Sequence, residues 1–471
     1  MHERIFCIDL LRNISIRLPL LIYGTATEFD ETIRLVDFID IVDEASWKEF
    51  MPKEVDKELF RKLLVFYDED VIEGAGMRIR RLAKAADELM PTQRVLRIAE
   101  IFSYFRNPAK ETVLTPWRVV NMHMGDTIGG YNFYKEGYPE KDGVLENPRL
   151  IEQGEVTSDL FLNDKVRVLE MNSKSGLYPL YVAYSIYRML LPKEEHDLSL
   201  EEARVYWEKA LSEHLFVLCQ TTMAVAITKR TLAGYSDCSV NAIYLTKLLE
   251  RMNNQKRLSH KLSNPATWSK EGEQMKFDAI VGNPPYQEMD SDNGRGASSV
   301  FPGFVQSAKT LNPNYISMIM PARWYAGGKN LDDFRDEMLG DKHIAKLYDY
   351  EASKEIFPTA DIAGGLCYFL WDAAKSSDEC IVTNIAGDSR NEVSRKLNEY
   401  PVFIRWNKAL PILQKVLAVS NDFCVDKVLS QKPFGFRTYE RGMDKPTATS
   451  VTLVHSDGVG YVERDAVTKN W

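Results

Sequence analysis

Cysteine is scarce in this chain: six residues among 471, none at a spacing typical of a disulfide or zinc framework. We therefore expect reduced thiols in a cytoplasmic protein and no metal site. A long apolar run is also lacking, since no stretch approaches the length of a membrane-spanning helix. The opening residues, Met1-His2-Glu3-Arg4, have no signal-peptide pattern. These absences argue against a disulfide-rich secreted domain and against a membrane protein.

Positive charge is in short supply as well, with 59 Lys and Arg residues against 68 Asp and Glu residues and a net charge of −9. This balance argues only mildly against a nucleic-acid partner, because DNA binding requires local rather than total positive charge. Two basic clusters are candidates, Arg78–Arg81 and Arg251–Lys261. Each taken alone is equally typical of a solvated helix face.

The remaining composition is that of a globular protein, with 45% hydrophobic and 27% charged residues. Residues 1–110 are predicted to form a helical N-terminal domain or connector, in which Asp43 is an N-cap and Pro91 opens a helix. Residues 111–400 alternate apolar strands with helices, which predicts an α/β domain with a doubly wound, mostly parallel sheet. The expected strands are Val166–Met171, Phe216–Cys219, Phe277–Val281, Ile316–Met320, Ile344–Tyr348 and Leu366–Trp371. Residues 401–471 are predicted to hold a connecting helix, Ile404–Val416, and the start of another domain.

The most informative feature is the tetrad Asn283-Pro284-Pro285-Tyr286, which follows the apolar strand ending at Val281. Two consecutive prolines stiffen the turn and remove two backbone donors. The Asn283 side-chain oxygen and the Pro284 carbonyl can then both accept hydrogen bonds from one amino group. Tyr286 offers a flat face for a planar amide or base. The tetrad is therefore typical of a pocket that makes an exocyclic amine nucleophilic, the alternative being a proline-rich structural turn.

With this tetrad the chain resembles the amino-group methyltransferases that use S-adenosylmethionine. Among them it most resembles the adenine-specific DNA methyltransferases of restriction–modification systems in which methylase and nuclease share one polypeptide. The resemblance covers roughly residues 90–420. It implies a Rossmann-like methyltransferase fold, S-adenosylmethionine as cofactor and double-stranded DNA as partner. It also implies that Asn283, Pro284, Pro285 and Tyr286 are catalytic, with adenine flipped out of the duplex.

The resemblance extends to two blocks that would hold the cofactor. In the first, Glu170 ends a strand and is followed by a small-residue loop with Asn172 and Gly176, although Lys174 stands where the family usually has glycine. An ordinary strand-to-helix turn is the alternative. The second block, Thr115-Pro116, resembles the segment that contacts the amino-acid end of the cofactor. Its alternative, or additional, interpretation is a helix start with Thr115 as N-cap and proline in the first turn.

Other family features are weaker or missing. The family's second strand normally ends in an acid that binds the ribose hydroxyls, but Leu218–Thr222 contains none, so Gln220 is the candidate substitute. Phe357 is a candidate base-stacking residue beside Tyr286, and a core role is the alternative. We therefore expect weak cofactor binding, and tighter binding on Lys174→Gly if the ammonium points inward.

Two competing functions stay open at this stage. One is a methyltransferase acting on RNA or on protein glutamine, since an amide nitrogen poses the same electronic problem. The other is a non-catalytic DNA-binding or scaffolding module of a larger restriction enzyme, which the departures at Lys174 and Gln220 favour. In the resembled family a target-recognition domain begins near Ser430, so the tail after this residue is interpreted as the truncated start of one. With the abrupt start, it suggests a piece of a longer enzyme, with further domains as partners.

Overall fold

The structure is a computed structural model that describes most of the chain in several ranges. These ranges are 2–25, 27–105, 114–135, 147–287, 298–328, 330–360, 362–400, 402–420, 434–437 and 439–468. The chain forms two compact units, Met1–Asn407 and Lys408–Trp471. The predicted domain bounds at residues 110 and 400 stay a prediction. Among the described residues, no helix is both long and apolar enough to cross a bilayer.

The N-terminal region is helical, as predicted. Its helices are α1 (His2–Ser15), α2 (Leu18–Gly24), α3 (Leu35–Ile41), α4 (Glu44–Phe50), α5 (Lys57–Leu63), α6 (Glu69–Ala86) and α7 (Pro91–Ser103). Asp43 is the N-cap of α4 and accepts hydrogen bonds from the backbone of Ala45 and Ser46, which satisfies two of the helix's free donors. Pro91 occupies the first turn of α7, where its missing N–H costs nothing.

The middle of the chain is an α/β domain. A short antiparallel pair, β1 (Gly130–Asn132) and β2 (Arg149–Ile151), stands apart from the main sheet. The main sheet contains β3 (Val168–Met171), β4 (Leu215–Cys219), β5 (Asn241–Tyr244), β6 (Ala279–Gly282), β7 (Tyr315–Pro321), β8 (Ile344–Tyr350), β9 (Leu366–Asp372), β10 (Glu379–Ala386) and β11 (Ser389–Lys396). All six predicted strands are present in it, with ends shifted by up to two residues.

The strand order is β11-β10-β8-β9-β7-β6-β3-β4-β5. From β3 the chain first builds outward through β4 and β5, and then returns to the other side of β3 with β6 and β7. The order therefore reverses between β3 and β6, the position where ligands bind in doubly wound sheets. The mostly parallel sheet is confirmed, with β9 antiparallel to β7 and β8, and β11 antiparallel to β10.

Helices cover both faces of this sheet. They are α8 (Trp117–Thr127), α9 (Glu155–Phe161), α10 (Leu177–Leu190), α11 (Leu200–Lys209), α12 (Thr222–Ala233), α13 (Leu248–Arg251), α14 (Gln255–Leu262), α15 (Phe301–Thr310) and α16 (Asp332–Gly340). Successive residues of β4 enter two different hydrophobic cores: Val217 joins the core that contains α10 and α12, and Leu218 joins the core that contains α14 and α15. A strand that is buried on both faces has a continuous apolar sequence, which explains why these strands could be predicted.

The N-terminal helices extend the first of these cores. Gly24 at the end of α2 lies so close to α12 that an added Cβ would overlap the Ile227 side chain. Tyr23 is fully buried beside Phe102 of α7, with ring centroids 5.7 Å apart. The helical region thus packs directly on the layer that covers β3 and β4.

The second unit holds α17 (Leu410–Val419) and an antiparallel hairpin of β12 (Ser450–His455) and β13 (Gly458–Glu463). The predicted helix Ile404–Val416 was wrong at its start, since α17 begins six residues later. The reason lies at Asn407, whose side chain donates to the carbonyls of Val382 in β10 and Asn391 in β11. These bonds tie the segment before α17 to the sheet.

Candidate active site

The tetrad lies just beyond the carboxyl end of β6, next to the reversal in strand order. Gly282, the last residue of β6, has φ of +148°, a conformation that suits glycine. A Cβ at this position would lie 3.0 Å from the carbonyl oxygen of Met171 on β3 and 3.5 Å from Cγ of Glu170. Glycine therefore lets the two strands approach closely, and this approach brings Asn283 and Glu170 to one edge.

Asn283 is held by its amide nitrogen, which donates to the Thr115 hydroxyl at 3.0 Å across 168 positions of sequence. Its Oδ1 is buried and has no hydrogen-bond partner among the described residues. A fixed amide with a free oxygen is what an incoming amino group requires. Thr115 therefore contacts the tetrad directly, and its predicted contact with the amino-acid end of the cofactor stays a prediction.

The segment around Thr115 differs in one detail from the alternative interpretation of a threonine cap. Helix α8 begins at Trp117, and Pro116 is its N-cap, so the predicted cap at Thr115 was wrong by one residue. Because Thr115 lies outside the helix, its hydroxyl is available to Asn283. At the other end of the site, Arg118 of α8 donates to the carbonyls of Glu355 and Ile356 at 3.1 Å.

Tyr286 is partly buried, and its hydroxyl has no hydrogen-bond partner in the part of the chain that the structure describes. Burial raises the pKa of this phenol, and the neighbouring Asn283 side chain lowers it in part. The backbone carbonyl of Tyr286 accepts from Arg323 at 3.3 Å. Arg323 also donates to the Ser299 hydroxyl at 2.7 Å, so it joins Tyr286 to Ser299.

Glu170, in β3 opposite Val281, is the most perturbed acid of the site. Its residue is 4% exposed, and its Oε2 has no partner among the described residues. Burial raises the pKa of Glu170 to about 8, although the Ser173 hydroxyl favours the ionised form. A buried acid without a counter-charge is costly, which points to a ligand that supplies donors or positive charge.

The loop after β3 is pinned to the end of β4. The backbone amides of Asn172 and Ser173 both donate to the Leu218 carbonyl, at 2.8 and 2.9 Å. Asn172 adopts φ of +78°, and its buried Oδ1 has no partner among the described residues. Gly176 is the left-handed N-cap of α10, where a Cβ would press on Thr231 and Thr228 of α12. The loop is therefore rigid and presents a free acceptor.

Lys174 and Gln220, the two departures from the family pattern, are both partly exposed at this edge. Burial lowers the pKa of Lys174, and the charge of Glu49 raises it in part. Glu49 belongs to α4 and was missed, because nothing in the sequence links residue 49 to the loop after β3. Only the packing of the N-terminal helices brings it here.

Phe357 has no exposed surface and packs in the hydrophobic core. A role in base stacking would therefore require this segment to move. No group of three or more His, Cys, Asp or Glu side chains suited to a metal ion occurs among the described residues.

Similarity to known proteins covers the middle of the chain. Residues 213–357 match the family described as Eco57I restriction-modification methylase. A Mycoplasma pneumoniae protein described as an uncharacterized adenine-specific methylase is 42% identical over 100 residues, which are 21% of this chain. The chain matches only 24% of the length of that curated relative.

Solved structures also match the chain, at low identity and at TM-scores below 0.5. A type I restriction-modification methyltransferase subunit from Streptococcus thermophilus is 12% identical with a TM-score of 0.38, covering 86% of this chain and 74% of that chain. A nuclease-deletion mutant of the type ISP enzyme LlaGI is also 12% identical, with a TM-score of 0.44, covering 86% of this chain and 40% of that chain. The match to the Eco57I restriction-modification methylase family, residues 213–357, includes the tetrad and less than half of the chain.

Proposed function

We propose that this chain transfers a methyl group from S-adenosylmethionine to the exocyclic amine of adenine in DNA, as part of a restriction–modification system. The observation that carries the proposal is the state of Asn283. Its amide nitrogen is held by Thr115 at 3.0 Å, while its buried Oδ1 has no partner among the described residues. An acceptor that is fixed and free before the substrate arrives needs no reorganisation during the reaction.

The proposed chemistry follows from the low nucleophilicity of the substrate amine. The lone pair of adenine's amine is delocalised into the ring, and the amine is buried in the duplex. The base must be flipped out, which costs a few kcal/mol of unstacking. Asn283 Oδ1 and the Pro284 carbonyl then accept hydrogen bonds from the two N–H groups of the amine and shift electron density onto nitrogen. The bond from nitrogen to the methyl carbon forms as the bond from that carbon to sulfur breaks, S-adenosylhomocysteine leaves, and the methylated amine releases one proton to solvent. As positive charge develops on that nitrogen, the two acceptors stabilise it.

The residues present at the edge of β3 suit the proposed cofactor. S-adenosylmethionine supplies an activated methyl group on a positively charged sulfur. Glu170 and Asn172 each offer a buried oxygen without a partner among the described residues, and these can accept from the ligand's amino and hydroxyl groups. Gly176 opens α10, whose N-terminus favours a carboxylate. Gln220 lies at the end of β4 beside them.

Partners and setting belong to the same proposal. Double-stranded DNA is the substrate, and further domains of a longer restriction enzyme would supply most of the sequence recognition, because a pocket for one flipped base reads only that base. Tyr286 would stack on the flipped adenine, with Phe357 as a second candidate. The cytoplasm, where the DNA lies, would be the setting.

The test combines cofactor binding with methyl transfer. Calorimetric titration with S-adenosylmethionine should show binding, and the labelled methyl group should appear as N6-methyladenine in DNA, not in RNA or in glutamine peptides. We expect Asn283→Ala to lower methyl transfer by about a hundredfold or more, the scale of one preorganised hydrogen-bond partner, while cofactor affinity changes little.

A matched control is Asn398→Ala, since Asn398 is exposed and follows the edge strand β11, away from the tetrad in sequence. It should transfer methyl groups as the wild type does. Full activity in Asn283→Ala would contradict the mechanism. Transfer to RNA or to glutamine instead of DNA would contradict the substrate.

A further inference from the structure

Helix α4 is fastened to the first turn of α12, directly after β4. The backbone amide of Met223 donates to the Ser46 hydroxyl at 3.2 Å. The Thr222 hydroxyl donates to the carboxylate of Asp43, the N-cap of α4. Since α12 starts at Thr222, these bonds place one end of α4 over the turn that leaves the carboxyl end of β4.

Glu49 reaches into the site from the last turn of α4. Its residue is 7% exposed, and its carboxylate accepts a hydrogen bond from the hydroxyl of Thr221, the N-cap of α12. The charge of Lys174, in the loop after β3, acts on the same carboxylate and favours its ionised form. Glu49 therefore lies at the turn that leaves β4, the strand next to β3.

This is the place where a nucleoside ribose needs an acid. In doubly wound folds that bind nucleosides, a carboxylate near the end of the second strand accepts hydrogen bonds from the ribose hydroxyls. Here the second strand, β4, and the residues up to Thr222 contain no Asp or Glu. An amide such as Gln220 accepts more weakly than an ionised carboxylate.

We infer that Glu49, supplied by the N-terminal helix α4, is the carboxylate that binds the ribose hydroxyls of the methyl donor. The inference rests on the proposed function, because it names a binding residue of the same site. Burial raises the pKa of Glu49, while Lys174 and the Thr221 hydroxyl favour its ionised form. Lys174 thus acts as the counter-charge of a binding carboxylate, and the helical region becomes part of the cofactor site.

The test uses the full chain and two ligands, S-adenosylhomocysteine and its 2′,3′-dideoxyribose analogue. In the wild type, loss of the two hydroxyls should weaken binding about 10- to 100-fold, the range for hydrogen bonds to a charged group. Glu49→Gln should weaken binding of the parent ligand by a similar factor and then show little further loss for the analogue. Glu49→Asp should restore part of the affinity.

A control on the same helix is Glu44→Gln, because the Glu44 side chain is 71% exposed and faces Lys57. It should bind both ligands as the wild type does. The inference is overturned if the wild type binds S-adenosylhomocysteine and its dideoxyribose analogue with equal affinity. This comparison requires no variant. The inference is also overturned if the Glu49→Gln protein binds the analogue more weakly than S-adenosylhomocysteine by the same factor as the wild type does. Failure of the wild type to bind S-adenosylmethionine or to methylate DNA would contradict the proposed function instead.

Discussion

At the scale of single residues, the site brings together three buried oxygens that have no hydrogen-bond partner among the described residues: Glu170 Oε2, Asn172 Oδ1 and Asn283 Oδ1. Elsewhere in the sheet, the buried carboxylate of Asp349 receives two hydrogen bonds from Arg405, both at 2.8 Å. Glu170, equally buried, has no cation beside it, and its Oε2 has no partner in the described ranges. Since an unpaired buried acid costs stability, its retention is typical of a binding site.

We expect Glu170→Gln to raise the stability of the protein and to weaken its binding of S-adenosylmethionine. In the folded protein the pKa of Glu170 is raised to about 8, against a reference value of 4.5. Between these values the folded state binds the proton and the unfolded state does not, so the free energy of unfolding falls as pH rises. The slope is about 1.4 kcal/mol per pH unit for one group. Glutamine does not ionise, so the free energy of unfolding of the Glu170→Gln protein does not fall in this way. At pH 8 it should exceed that of the wild type by a few kcal/mol.

Urea unfolding of both proteins at pH 5 and pH 8 measures the difference, with Glu44→Gln as the exposed control. Binding of S-adenosylmethionine by Glu170→Gln should weaken at the same time, because glutamine cannot ionise when the cationic ligand binds and its amide accepts more weakly than a carboxylate. Parallel stability curves for the wild type and Glu170→Gln would show that Glu170 is ionised in the free protein.

At the scale of elements, the site depends on how closely β6 approaches β3. Gly282 permits this approach, since an added Cβ would meet the Met171 carbonyl at 3.0 Å with φ at +148°. We expect Gly282→Ala to lower the free energy of unfolding by about 1–3 kcal/mol, the usual cost of a strained backbone position. The substitution should also lower the rate of methyl transfer, because Asn283 follows the end of β6 and would be displaced with it.

Gly74→Ala is the matched control. Gly74 lies inside α6, and a Cβ there meets nothing within 4 Å. In an exposed helix this substitution should stabilise by about 0.5–1 kcal/mol. Thermal unfolding with a methyl-transfer assay distinguishes the two glycines, and an unstrained Gly282→Ala protein with normal activity would refute this account of the β3–β6 contact.

At the scale of the whole molecule, charge is acidic overall but uneven. A groove along α13 and α14 is lined by Lys247, Arg251, Arg257, His260 and Lys261, with Glu250 as its one acid. It contains the second basic cluster of the sequence. Such a groove suits contact with a phosphate backbone, which carries no sequence information.

We therefore expect weak DNA binding, with a dissociation constant of roughly 10⁻⁴ to 10⁻⁶ M at physiological salt and little preference among duplexes. Removing Arg251 or Lys261 should reduce the slope of log K against log salt by about one each. Fluorescence anisotropy with several duplexes at a series of salt concentrations measures this, with the exposed Lys193→Ala as control. Tight binding to one duplex alone would show that the chain reads sequence by itself.

Much of the fold was predictable because its signals are local. Helices cover both faces of the sheet, so its central strands are continuous apolar runs. The tetrad is a stiff turn, and its functional groups belong to four adjacent residues. The strands β5, β10 and β11 escaped prediction for equally local reasons. β5 starts with Asn241 and is buried over only part of its length, while β10 and β11 both expose several residues, so none of the three is a continuous apolar run.

The sequence by itself determined the sheet that carries the site, the strand that ends in Asn283, and the acid on the neighbouring strand. Only the tertiary structure decided which distant groups meet there. Thr115 holds Asn283 across 168 positions, and Glu49 meets Thr221 across 172. Neither pairing leaves a periodic pattern, because side chains that meet through packing share no local constraint along the chain. The sequence of the helical region contains no catalytic motif, and the region gains a candidate role only because α4 is bonded to the first turn of α12.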